Sequence, residues 1–186
     1  MKYRLIFALV TLFTNLIYAQ NSYKKIYSYG IYKENWALVK SEIGTFGIID
    51  KDGKEIVPTI YTQIGKFGKI DNDFALVKSV AGTYGLINKD GKLILESIYS
   101  KINNFGEVDT DVALVKSIAG TYGLVNREGK IIVNSIYSSI GKFDDLKKGL
   151  ALVKVVNGTY GFVDRHGKEV IAPIYKSVNE AIEMKP

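Results

Sequence analysis

Eight lysines recur at a fixed step and are the first residues in this chain that could do chemistry. Lys40, Lys78, Lys116 and Lys154 are 38 residues apart, as are Lys54, Lys92, Lys130 and Lys168. Brought into line, they would make two basic rows able to attract phosphate or an acidic glycan. Lysine equally serves solubility and guards strand edges, and that is the preferred reading. Lys78, Lys116 and Lys154 are nonetheless kept as candidate ligand contacts. The acids come in pairs: Asp71 with Asp73, Asp109 with Asp111, Asp144 with Asp145. Two carboxylates held ~5–9.5 Å apart can hydrolyse a glycosidic bond. Nothing in the surrounding sequence would raise a carboxyl pKa, so exposed, solvated loops are the expectation. Residues 103–112 carry −3 and residues 141–150 carry +1. Such variable loops are where specific recognition would sit, which makes Asp71, Asp109 and Asp111 candidate contacts too.

Three further constellations have structural readings. Phe46, Tyr84, Tyr122 and Tyr160 could stack sugars or bases. Each precedes a glycine, which suggests close backbone approach and packing between units. The run Asp50-Lys51-Asp52-Gly53-Lys54-Glu55 has the beginnings of a calcium loop but lacks enough oxygen ligands at alternating positions. It reads better as a hairpin turn. His166 fills the slot of Asp52, Asp90 and Glu128 and reads as an exposed turn residue.

Composition removes whole classes. The 186 residues include no cysteine, which excludes a disulfide framework, a thiolate metal site and a cysteine nucleophile. One histidine leaves almost no room for a histidine zinc site or a triad. No cofactor, no metal and no catalytic residue is expected. At 47% hydrophobic and 24% charged, the chain is folded rather than disordered. Lys2 and Arg4 precede an apolar stretch from Leu5 to Ile17, and Ala19 stands where a signal peptidase cuts. Residues 1–19 therefore read as a secretory signal peptide, placing the protein in the periplasm or outside the cell. Its loss takes away Lys2 and Arg4, so the formal charge falls from +6 to +4. No other apolar run approaches the ~20 residues of a membrane span.

What positions these residues is one pattern repeated. Ala-Leu-Val-Lys occurs at Ala37–Lys40, Ala75–Lys78, Ala113–Lys116 and Ala151–Lys154. Thr-aromatic-Gly, Gly-Lys and Ile-Tyr keep the same 38-residue step without insertion. Tyr23, Ile26 and Tyr29 precede Tyr61, Ile64 and Phe67 by that step, so residues 20–36 are a partial repeat. Four units follow, at 37–74, 75–112, 113–150 and 151–180, then a tail at 181–186. Each unit predicts short strands joined by tight turns: Ala-Leu-Val-Lys, then Tyr84–Asn88 and its equivalents, then Lys92–Leu95 and its equivalents. The segment Ile98 to Phe105 reads as a short strand or turn leading into an exposed loop.

Adjacent apolar residues decide the packing. Leu76-Val77, Leu86-Ile87 and Ile94-Leu95 are doublets, and neighbours on a strand point to opposite faces. Both faces of each small sheet are thus apolar. Thirty-eight residues cannot bury two faces alone, so units must cover one another. The expectation is an all-β array of tandem repeats of short antiparallel strands stacked face to face, open and solenoid-like, with a small closed propeller as the alternative. Ser177 and Glu180 have capping-box spacing, which predicts a short helix at 178–184 covering the last β face.

These anchors resemble the WG-repeat family over the span from Tyr23 to Tyr175, with Phe46, Tyr84, Tyr122 and Tyr160 where that family has tryptophan. The resemblance implies a bacterial, β-rich repeat protein with no enzymatic activity tied to the repeat. The expected role is an exported, non-enzymatic binding or scaffolding module with a protein partner. The alternative is a polyanion or cell-surface glycan binder using the lysines. No nucleic acid partner is expected.

Overall fold

The computed structural model describes residues 22–185; the segment read as a signal peptide lies outside them. Four antiparallel meanders follow one another. The first comprises β1 (Tyr23–Tyr29), β2 (Ala37–Ser41), β3 (Phe46–Ile49) and β4 (Glu55–Tyr61), in that spatial order. The second comprises β5 (Gln63–Ile64), β6 (Phe74–Lys78), β7 (Tyr84–Asn88) and β8 (Leu93–Tyr99). In the third, β9 (Lys101–Ile102), β10 (Val112–Lys116) and β11 (Tyr122–Asn126) pair with the first part of β12 (Ile131–Lys147). The rest of β12 pairs with β13 (Leu150–Val155), which continues to β14 (Tyr160–Asp164) and β15 (Glu169–Tyr175). Each sheet takes its first strand from the end of the preceding repeat, so the folded unit straddles the sequence repeat.

The doublets are shared between neighbouring cores. Ile87 joins Ile48, Val57, Ala75 and Val77 between the first and second sheets. Its neighbour Leu86 joins Leu95, Ala113, Val115 and Val125 between the second and third. Leu124 and Val163 repeat the arrangement one step on. Ala75, Val77, Ala113, Val115, Ala151 and Val153 are almost wholly excluded from water. Burying each such valine contributes ~1.5–3 kcal/mol, and it does so only because the next unit is present. The result is an open, all-β array of stacked repeats. Trp36 is buried at the first interface and serves packing.

Two expectations about the strands need correction. Strand three is longer than Lys92–Leu95, since β8 runs on through Ile98 and Tyr99. The loop expected after it is absent from the third unit. At the first two junctions Thr62 and Ser100 break the strand while donating hydroxyl bonds to the next unit's carbonyls. Ser138 makes the equivalent bonds, but the backbone stays extended. Phe143 docks into the third core opposite Ala151 and carries the strand onward.

The tail forms α1 (Val178–Glu183) as the capping-box spacing predicts. Ser177 accepts from the Glu180 backbone N–H at 3.2 Å, and Glu180 accepts from Lys176 N–H at 3.0 Å. Ala181 is fully buried against Leu150, Phe162 and Ile171, closing the last apolar face. Among the described residues no helix is long and apolar enough to cross a membrane.

Candidate functional site

The first lysine row is built into the sheets. Strand pairing sets Lys40, Lys78, Lys116 and Lys154 opposite Phe46, Tyr84, Tyr122 and Tyr160. Each ammonium lies over its ring, at 5.4, 5.4, 5.2 and 5.1 Å from the centroid. The ring's negative face attracts the cation, by about 0.5–1 kcal/mol at such half-open sites. The rings also pack against the successive cores. The lysines therefore form an aligned, half-buried row at one end of the sheets. Lys54, Lys92, Lys130 and Lys168 are exposed beside the hairpin turns at the other end.

Each hairpin turn is closed by its own side chain. Asp50 Oδ1 accepts from the N–H groups of Asp52 and Lys54 at 3.0 and 2.8 Å. Asn88, Asn126 and Asp164 do the same in their units. That use of the oxygen favours the hairpin reading over a calcium loop, and His166 is an exposed turn residue. Among the described residues, no three His, Asp or Glu side chains gather to hold a metal ion.

Thr-aromatic-Gly is a junction between strands. Thr83 donates its hydroxyl to the carbonyl of Ser97. Ser79 lies 2.8 Å from that hydroxyl and accepts from the Thr83 N–H. Thr45 and Thr121 bond the same way, to Thr59 and Ser135 at 2.5 Å. At Gly47 a Cβ would sit 2.6 Å from the Val57 carbonyl oxygen and from the Thr59 methyl. Strand three bulges directly over this position, so only glycine fits.

Asp73, Asp111, Asp144 and Asp145 lie exposed, in line with the solvated-loop expectation, whereas Asp71 and Asp109 are largely covered by arginines, which corrects it for those two. Asp71, with only 12% of its side chain exposed, accepts from Arg127 Nη2 at 2.9 Å. Arg127 Nε binds Asp111 at 3.1 Å, and its guanidinium lies over the Phe105 ring at 4.9 Å. Arg165 repeats the arrangement with Asp109 and Asp144, both at 2.5 Å, over Phe143. Lys89 binds Asp73 at 2.7 Å. An arginine at the tip of one hairpin thus ties together loops of two successive units. Sequence reasoning passed over Arg127 and Arg165. Their alignment with Lys51 and Lys89 in the turns, 16 residues after an acid in the two middle units, was the available signal.

These contacts set the charge state. Burial by itself would raise the Asp71 carboxyl. The Arg127 hydrogen bond, the Asp73 N–H and the nearby cations outweigh it and hold Asp71 below the ordinary aspartate range. Arg165, with the Gly149 N–H, lowers Asp144 as well. A lowered carboxyl is the opposite of what a general acid needs. Asp71→Asn should cost about 1.5–3 kcal/mol of stability at neutral pH, the range for hydrogen bonds to charged groups. Because the folded value is depressed, this contribution is present above about pH 5 and fades as pH falls below about 4. Urea unfolding of both proteins across that range checks it. A stability difference that stays constant into acid would show that the carboxylate charge is not what Arg127 holds.

Two rows of apolar side chains stay in water. Ile60, Ile98, Ile136 and Ile174 are 57%, 57%, 54% and 68% exposed. Their neighbours Tyr61, Tyr99 and Tyr137 point inward and are buried. Burial, then a 2.6 Å hydrogen bond to Glu169, pushes the Tyr137 phenol well above its usual range. Val80, Ile118 and Val156, at equivalent turn tips, are 73–74% exposed. The bond from Thr83 to Ser97 puts the Val80 turn and Ile98 at the same end of the sheet, where Lys78 also lies. The sequence shows Ile-Tyr as a repeated anchor; that its isoleucine faces outward is seen only in the fold.

A family model described as WG containing repeat matches residues 46–79, 84–116, 122–160 and 160–181. Comparison with curated proteins gives no match. Among solved structures, the chain is similar to one titled "Crystal structure of WD40 beta propeller domain of Doa1", with 16% identity and a TM-score of 0.30. That match covers 75% of this chain and 51% of the other, so the chain spans about half the length of that one.

Proposed function

The chain belongs to the WG containing repeat family, and on that basis we propose an exported, non-enzymatic binding module whose partner is a protein. The observation that carries this reading is the exposed isoleucine row at Ile60, Ile98, Ile136 and Ile174. Large apolar patches on a lone soluble protein are uncommon and mark interaction surfaces. Here the apolar side chain recurs in every unit, and the lysine row runs at the same end of the sheets. An extended protein segment carrying apolar side chains and carboxylates would complement both rows. Export is supported by the Lys2-to-Ala19 segment. The absence of enzymatic activity is supported by the commitment of Asp71, Asp109, Asp111 and Asp144 to arginines.

The aligned lysines favour a second reading, a polyanion or acidic cell-surface glycan as ligand. One experiment separates the two. A photo-crosslinking residue at position 98, in protein recovered outside the cytoplasm and beginning at Gln20, should give a discrete protein adduct. Ile136→Lys should abolish it, and a crosslinker at position 92 should give none. Adducts independent of position 136 would take the isoleucine row out of the contact, the lack of any discrete protein adduct would defeat the protein reading, and an intact Met1 in the cytoplasm would defeat export. Retention on heparin should be weak and unchanged by the triple variant Lys78→Gln, Lys116→Gln, Lys154→Gln. Strong retention lost in that variant would put the polyanion first.

A further inference from the structure

A cleft of about 350 Å³ opens where the loop after β5 leans over β6 and the chain enters β9. Its apolar surface comes from Ile70, Leu76, Tyr84 and Ile102. Its cations are Lys66, Lys69, Lys78 and Lys101, and no carboxylate lines it. Among the described residues none of these four lysines takes part in an ion pair. The size suits a small ligand, since such sites span about 300–1,000 Å³.

The repeats supply the comparison. One step on, Lys66, Lys69 and Lys101 become Asn104, Glu107 and Ser139. Two steps on they become Lys142, Asp145 and Ser177. Only the lysine over the aromatic ring is common to all units. In the next unit Glu107 bonds to Asn103 and to the Asn104 N–H, closing that loop on itself. Solubility would be served by cations spread over the surface. Four gathered around one hollow repel one another, a cost that an anion between them removes.

We infer that this cleft binds a small organic anion, its charged group met by Lys66, Lys69 and Lys101 and its apolar body laid against Ile70, Leu76 and Tyr84. The inference does not depend on a protein partner, because these three lysines occur together in only one unit and the ligand is small.

The test uses anilinonaphthalene sulfonate, an anion with an apolar aromatic body, and the full mature chain. Fluorescence titration should show saturable binding. The double variant Lys66→Gln, Lys101→Gln should weaken it about 10-fold or more, the equivalent of about 1.4 kcal/mol. The variant Lys92→Gln, Lys130→Gln removes the same charge at the hairpin ends and should leave binding unchanged. The neutral N-phenylnaphthylamine should bind more weakly than the sulfonate. Lys66 and Lys101 are exposed, so both variants should keep the parent's thermal midpoint. Equal loss in the two variants, no loss in either, no saturable binding to the parent, or equal affinity for the neutral dye would each overturn the inference.

Discussion

Gly129→Ala and Gly167→Ala are expected to lose about 2–5 kcal/mol of stability, and Gly53→Ala only about 1–2. All three glycines have left-handed backbones, with φ of 77°, 81° and 80°. Any L side chain there carries the same conformational penalty. The difference lies in what the hairpin touches. A Cβ on Gly129 would fall on the carbonyl oxygen of Ile94, and one on Gly167 on that of Ile132. Both carbonyls belong to strand three of the preceding unit. Around Gly53, which opens the array, nothing stands within 4 Å. The first penalty is local, whereas the second forces two units apart. For a domain of ordinary stability, about 5–15 kcal/mol, the larger loss is a substantial fraction. Urea midpoints of the three variants decide it. Equal losses at all three positions would mean that the hairpin glycines serve only their own turns.

The parts of the fold legible in the sequence were those governed by periods of two and of 38. Leu86-Ile87 and Leu124-Val125 show two-faced sheets because a strand alternates faces, and the cores divide them accordingly. Ser177 and Glu180 marked the terminal helix because capping is local. Other features depend on which unit lies over which. Asp71 and Arg127 are 56 residues apart, and only the stacking of hairpin tip on loop brings them together. The continuous β12 turns on Phe143 finding a core pocket, and its sequence also suits a loop. Lys66, Lys78 and Lys101 come from three separate segments, so no local pattern reveals the cleft. Lys78 itself was visible as one of a row, but its seat over Tyr84 follows from strand register.

In an open stack each unit is held only by its neighbours, and the isoleucine and lysine rows are laid down one unit at a time. Deleting Ala75 to Val112 tests this most directly. The deletion joins Phe74 to Ala113, and Gln63-Ile64 can then pair with Val115-Lys116 as it does with Val77-Lys78. Gly129 would rest on Ile56, as Gly91 does. Asp73 would stand 16 residues before Arg127, as Asp111 does. Val125 would replace Ile87 in the first core, a loss of about 0.5–1.5 kcal/mol. The shortened chain should therefore keep the β-sheet circular dichroism of the parent and unfold in one cooperative urea transition. Removing only Ala75 to Leu93 breaks the register and should abolish folding. Complete unfolding of the one-unit deletion, under conditions where the parent is folded, would contradict the open stack and point to a ring closed at a fixed number of units.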